Sequence, residues 1–145
     1  MTTRVLIVTH EVLFEPPNTV VIVGHGVMDG ESSSKIHGQM LDWVKDQPYM
    51  FLLADFRDVT GFSTDGRKSY VASANTGELP PRAVALWGAS FGVRVIFDMV
   101  ARARSFLRLE GRWMKYCSNI EEARQWAAEI RPALEAFAQK HKPNA

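Results

Sequence analysis

The sequence predicts an α/β fold, a mostly parallel mixed sheet of about five strands with an N-terminal antiparallel hairpin and about four helices. Three observations carry this reading. Residues 49–56 (YMFLLADF) and 83–87 (AVALW) are nearly continuous apolar runs, the pattern of strands buried on both faces. Each run is followed by a segment in which apolar residues recur at helical spacing. Two segments rich in Val, Leu, Ile and Phe, 11–15 and 19–24, flank Pro16-Pro17-Asn18, which supplies the turn of a hairpin.

The remaining elements follow in order. Gly24, Gly26 and Gly30 are expected to break the second hairpin strand. After Asp29, a plausible N-cap, Ile36, Met40, Trp43 and Val44 define a helix that stops at Pro48. Residues 60–65 read as a polar turn, with Ser63 the N-cap of a short helix that runs to about Ala74. Asn75-Thr76-Gly77 and Pro80-Pro81 end it. Beyond Gly88-Ala89-Ser90 a long helix places Val93, Val95, Ile96, Met99, Val100, Ala103, Phe106 and Leu107 on one side. Arg94, Asp98, Arg102, Arg104 and Arg108 fall on the other, and Phe97 lies among these charges, an apolar residue on the wet side. Residues 112–117 read as a last strand. Ser118-Asn119-Ile120-Glu121 has capping-box spacing. The closing helix aligns Ile120, Ala123, Trp126, Ala127, Ile130, Leu134 and Phe137, with Pro132 on its polar side.

The order β-β-α-β-α-β-α-β-α shows no repeat or linker, so one domain over 1–145 is expected. Seventeen Lys and Arg nearly balance sixteen Asp and Glu, which argues against a nucleic-acid binder driven by overall charge. The apolar runs fall far short of the ~20 residues of a membrane helix, and no signal-peptide core is visible. The lone Cys117 cannot form an internal disulfide, which suits the reducing cytoplasm.

The segment FLLADFRDVTGFSTDGRK, in this order of elements, resembles the STAS superfamily, which includes the anti-sigma-factor antagonists. Asp55, Val59 and Gly66 match that family's Asp, Val and Gly positions. Ser63 falls at its second Asp, Thr64 at its switch serine and Asp65 at its second serine, so the D-S-S-G motif itself is replaced. The strongest likeness is to the SpoIIAA-like branch, stand-alone bacterial domains that are also similar to the lipid-carrying CRAL-TRIO fold. Leu53-Ala54-Asp55 with Arg57 and Gly61, the Gly88-Ala89-Ser90 turn, and Glu121-Glu122-Ala123 with Trp126 carry that likeness over nearly the whole chain. The resemblance implies a non-enzymatic regulatory domain that binds a protein partner or a small lipid-like ligand. It also implies a hydroxyl at Thr64, with Ser63 beside it, as the phosphate acceptor.

Other signals compete. Gly88-Ala89-Ser90-Phe91-Gly92 is a literal G-x-S-x-G between strand and helix, the context of a hydrolase nucleophile elbow. The alternative function is therefore a small serine hydrolase using Ser90, although the only downstream histidine is His141, near the C-terminus. The plain alternative is that Ser90 caps its helix. Asp55, Arg57 and Asp58 follow a parallel strand, at the edge where α/β sheets bind ligands, and form either an ion pair or a functional cluster. His10, His25, His37 and Cys117 lack metal-ligand spacing, and no phosphate loop occurs, so neither a metal nor a cofactor is expected. Asp58, Ser90, Arg94 and Phe97 are the candidate contacts for a small apolar or anionic ligand or a partner, and Phe97 the expected seat of a homodimer.

Overall fold

The computed structural model describes residues 1–141. Ten elements follow in chain order: β1 (Thr3–Ile7), β2 (His10–Glu15), β3 (Thr19–Met28), α1 (Gly30–Val44), β4 (Met50–Phe62), α2 (Thr64–Ala74), β5 (Arg82–Trp87), α3 (Phe91–Phe106), β6 (Arg112–Cys117) and α4 (Ile120–Lys140). The strands form one six-stranded sheet in the order β1 to β6. The first three pair antiparallel, and β3 to β6 pair parallel. The α/β class and the N-terminal hairpin are as expected; the sheet gains an edge strand, β1.

Alternation along the strands sorts the core into two sides. Val20 and Ile22, Leu52, Ala54 and Phe56, and Val84 and Leu86 pack with Ile36, Met40 and Val44 of α1 and Val93 and Phe97 of α3. Their neighbours Val21, Leu53, Ala85 and Trp87, with Phe51 and Ala83, pack instead under Ala123, Ala127 and Leu134 of α4. Three helices thus cover one face and α4 the other. The α4 stripe is buried or half-buried as expected, and the helix continues through the exposed Pro132.

Three expectations change. The strand expected to end at Phe56 runs to Phe62, because β3 does not break at its glycines. The β3–β4 register shifts between Val23 and His25 and again after Gly26, whose φ is 75°. Gly24 is also required by space: a Cβ there would lie 2.4 Å from Val59 Cγ2. These glycines let the strand bulge and continue. The N-cap of α4 is Asn119, whose side chain accepts from Glu122 N, while Glu122 Oε2 accepts from Ser118 N, so the capping arrangement sits one residue later.

The largest correction concerns α3. Its buried residues are Val93, Ile96, Phe97, Val100 and Arg104, a narrow i, i+3, i+4, i+7, i+11 arc. Phe97 is only 2% exposed, whereas Val95, Met99, Phe106 and Leu107, expected inside, are exposed. The inner arc is rotated toward Phe97 because an aromatic nest receives it: its ring centroid lies 5.8 Å from Phe56, 6.5 Å from Phe62 and 4.9 Å from Tyr70. Arg104, expected on the solvated face, is carried inside on the same arc.

Candidate functional site

The turn face is built where β3 ends and α2 begins. Met28 O accepts a hydrogen bond from Ser63 N at 3.1 Å, which ties the start of α2 to the end of β3. Ser63 is extended and its Oγ accepts from Gly66 N at 3.0 Å, so it is the N-cap expected. Gly66 is required by contact: a Cβ would stand 2.0 Å from Met28 O. Thr64 therefore opens the first helical turn, exposed, with Asp65, Arg67 and Lys68 exposed around it.

Two charged pairs lie on β3 and β4. Asp55, 8% exposed, accepts from Arg57 Nε at 3.0 Å and Nη2 at 2.8 Å, and from Arg57 N. That bidentate bond holds the Asp55 carboxyl below the usual carboxylate range and raises the Arg57 guanidinium. Gly88, at φ 73°, lets the β5–α3 turn lie on Arg57, since a Cβ there would fall 2.1 Å from Arg57 Cγ. Asp58 points elsewhere: its Oδ2 is 2.7 Å from His25 Nδ1, and His25 Nε2 is 3.2 Å from Glu11 Oε2. The two carboxylates, Asp58 first, raise the His25 pKa. Asp55 and Asp58 thus belong to separate ion pairs on one edge.

Ser90 behaves as a cap. Its backbone is extended and its Oγ accepts from Val93 N at 3.4 Å. The described histidines are engaged elsewhere, His10 with His25 N, His25 with Asp58 and Glu11, His37 with Glu78 and His141 with Phe137 O. Without a base at Ser90, the hydrolase alternative has no catalytic pair. Arg94 is exposed and lies over the Tyr116 ring, 4.8 Å from its centroid, while Tyr116 Oη donates to Asp98. Phe97 lies in the core, so the exposed contact assigned to it does not exist.

Behind Phe97 lies a cavity of about 60 Å³ between the sheet and α1–α3. Ile22, Leu52, Phe56, Phe62, Tyr70 and Phe97 form much of its wall. Ser33 and His37 of α1, with Arg82 and Arg112, add polar groups to its lining. Arg82 opens β5 and Arg112 opens β6, paired in register, so both lie at the sheet edge opposite the Ser63 and Ser90 turns. Arg82 is 5% exposed and Nη2 donates to Ala74 O at 2.9 Å; Arg104 Nη1 donates to the same oxygen at 2.7 Å. These two guanidiniums satisfy the C-terminal end of α2, which has no basic residue in its own last turn. The sequence reading began the strand at Ala83 and so passed over Arg82. Alternation was the available signal: Arg82 shares parity with Val84 and Leu86, which face the three helices.

No protein-family model matches the chain, and no curated protein matches it in sequence. Solved structures share its fold, two of them as follows. The anti-sigma factor antagonist SpoIIAA in its unphosphorylated form is similar at a TM-score of 0.50 and 17% identity, over 83% of this chain and 99% of that one. An uncharacterised protein of the DUF3478 family, with a SpoIIAA-like fold, from Shewanella loihica, is similar at 0.55 and 12% identity, over 86% and 92%. The fold is therefore SpoIIAA-like, the STAS arrangement that the sequence resembled.

Proposed function

We propose that this chain, with its SpoIIAA-like fold, is a non-enzymatic cytoplasmic STAS-like domain that takes a small apolar ligand between its sheet and helices α1–α3. The cavity behind Phe97 carries this reading. Protein interiors are close-packed, with few voids larger than a water. A void lined by aromatic and branched apolar side chains holds water poorly and accepts an apolar molecule of matching size. At about 60 Å³ the space matches about two waters at ~30 Å³ each and is well under the ~150 Å³ that admits benzene, so it takes the end of an apolar chain. Native mass spectrometry of freshly purified protein tests for a retained molecule. Titration with hexanol, followed by the methyl NMR signals of Ile22, Leu52 and Val84, tests the site itself. Shifts confined to surface methyls, with no retained mass, end this reading.

A second reading, a protein partner governed at Thr64, is supported by one observation. Thr64 is exposed at the first turn of α2, and Tyr70 and Ala74 of the same helix line the cavity. A partner reading Thr64 and a ligand in the cavity would both act on α2. The homodimer assigned to Phe97 moves to the exposed Val95, Met99 and Phe106. Sedimentation of Phe106→Asp tests it: a wild-type profile removes this surface from any assembly.

A further inference from the structure

Two arginines, Arg82 and Arg112, line the apolar cavity, and Arg104 meets Arg82 at their shared acceptor, Ala74 O. Among the described residues, none of the ion pairs involves Arg82, Arg104 or Arg112. Each guanidinium carries five N–H donors. Arg82 gives Nη1 to Pro80 O and Nη2 to Ala74 O; Arg104 gives Nη1 to Ala74 O and Nη2 to Glu110 O. Those bonds account for the helix end. Arg112 caps nothing: its Nη2 donates to Tyr70 Oη at 3.0 Å and lies 3.8 Å from Met114 Sδ. A third guanidinium is thus surplus to the fold.

Arg112 also divides two spaces. Inward it faces the apolar cavity; outward it lines an open groove of about 640 Å³ with Arg104, Ser105, Arg108 and the acidic Glu110. Tyr70, which accepts from Arg112, keeps its own phenolic hydrogen to donate. We infer that Arg82, Arg104 and Arg112 bind the anionic head, a carboxylate or a phosphate, of a ligand whose apolar end enters the cavity. This rests on the cavity reading above. Planar guanidiniums suit both oxyanions, because each offers parallel N–H donors to two oxygens. The cluster of guanidiniums is also electrostatically costly. Burial, then the neighbouring Arg104 and Arg112, push the Arg82 pKa down to about 10, and an anion among the three reverses that repulsion.

The test uses the full chain and four probes, hexanol, hexanoate, hexyl phosphate and inorganic phosphate, titrated by NMR. Hexanoate or hexyl phosphate should bind at least tenfold more tightly than hexanol, and the tighter of the two identifies the head group. Arg112→Gln should lower the ratio of anion to hexanol affinity at least tenfold, with its melting temperature as the folding control. Equal binding of hexanol and the two anions by the wild type overturns the arginine assignment and leaves the cavity reading standing. Inorganic phosphate bound as tightly as hexyl phosphate also overturns it, since head and tail would then be unconnected. If none of the six-carbon probes binds, the cavity reading itself fails and takes this assignment with it.

Discussion

Phe97 of α3 packs against Tyr70 of α2 with ring centroids 4.9 Å apart, so the residue that looked most like a surface contact is a keystone between two helices. The contact predicts how variants behave. Phe97→Ala should cost about 3–5 kcal/mol in urea unfolding, the range for a buried aromatic truncated to a cavity. Phe106, 87% exposed on the same helix, should lose no more than about 0.5 kcal/mol on the same change. Equal effects at the two positions would refute the observed rotation of α3.

The start of α2 supplies a second contrast. Gly66→Ala places a methyl 2.0 Å from Met28 O, a backbone atom that cannot swing aside, and should cost about 3 kcal/mol or more. Gly38, exposed within α1, has nothing within 4 Å of an added Cβ. Gly38→Ala should therefore raise stability by about 0.5–1 kcal/mol through helix propensity. Urea midpoints of the two variants moving in opposite directions is the expected result.

What the sequence revealed and what it concealed have separate physical causes. The apolar runs of β4 and β5 and the caps at Asp29, Ser63 and Ser90 were legible because each is a local rule. The edge strand β1 was not legible, because its hairpin loop, between the paired Ile7 and His10, contains no turn residue. Val8 occupies that loop at φ 56°, a conformation usually left to Gly or Asn. The phase of α3 was hidden for a different reason. Apolar residues surround most of that helix, so only the aromatic nest of Phe56, Phe62 and Tyr70, drawn from two other elements, decides which of them turn inward. The arginine cluster at the cavity was equally non-local: Ala74 O gathers Arg82 and Arg104 from 8 and 30 residues away.

His25 makes stability depend on pH. Asp58 and Glu11 raise its folded pKa above the ordinary histidine value of ~6.5. A raised histidine contributes stability that is fully present below its unfolded pKa and is lost as pH rises through its folded one. Wild type and His25→Gln should therefore differ more in urea midpoint at pH 5.5 than at pH 8.5. An NMR titration of the His25 ring should give a midpoint above 6.5, and Asp58→Asn should lower it. A midpoint at or below 6.5 contradicts the pairing.

Ser90 should be chemically inert. With its Oγ accepting from Val93 N and no histidine beside it, a fluorophosphonate should leave the protein unlabelled. Ser90→Ala should lower stability by about 0.5–1 kcal/mol, the loss of one N-cap. Stoichiometric labelling at Ser90 would restore the hydrolase.

Ser63 and Thr64 are adjacent hydroxyls with different tasks, and substitution separates them. Ser63 Oγ accepts from Gly66 N, so Ser63→Ala removes the cap and should cost about 1 kcal/mol. Thr64 carries no cap bond and is exposed, so Thr64→Ala should leave the melting temperature near wild type. Thr64→Glu places negative charge in the first turn of α2, where the helix dipole favours anions by about 0.3–1 kcal/mol. Its melting temperature should therefore hold or rise slightly. A phosphate at the same place would add roughly −1.5 to −2 charges, with Arg67 and Lys68 exposed on the same helix as counter-ions. The fold thus tolerates a change of sign at this surface, which is what a partner switch needs. Recovery of partners from a native lysate with Thr64→Glu and Thr64→Ala decides whether it is used. Different partner sets at unchanged stability support the switch, and identical sets reduce Thr64 to an ordinary helix start.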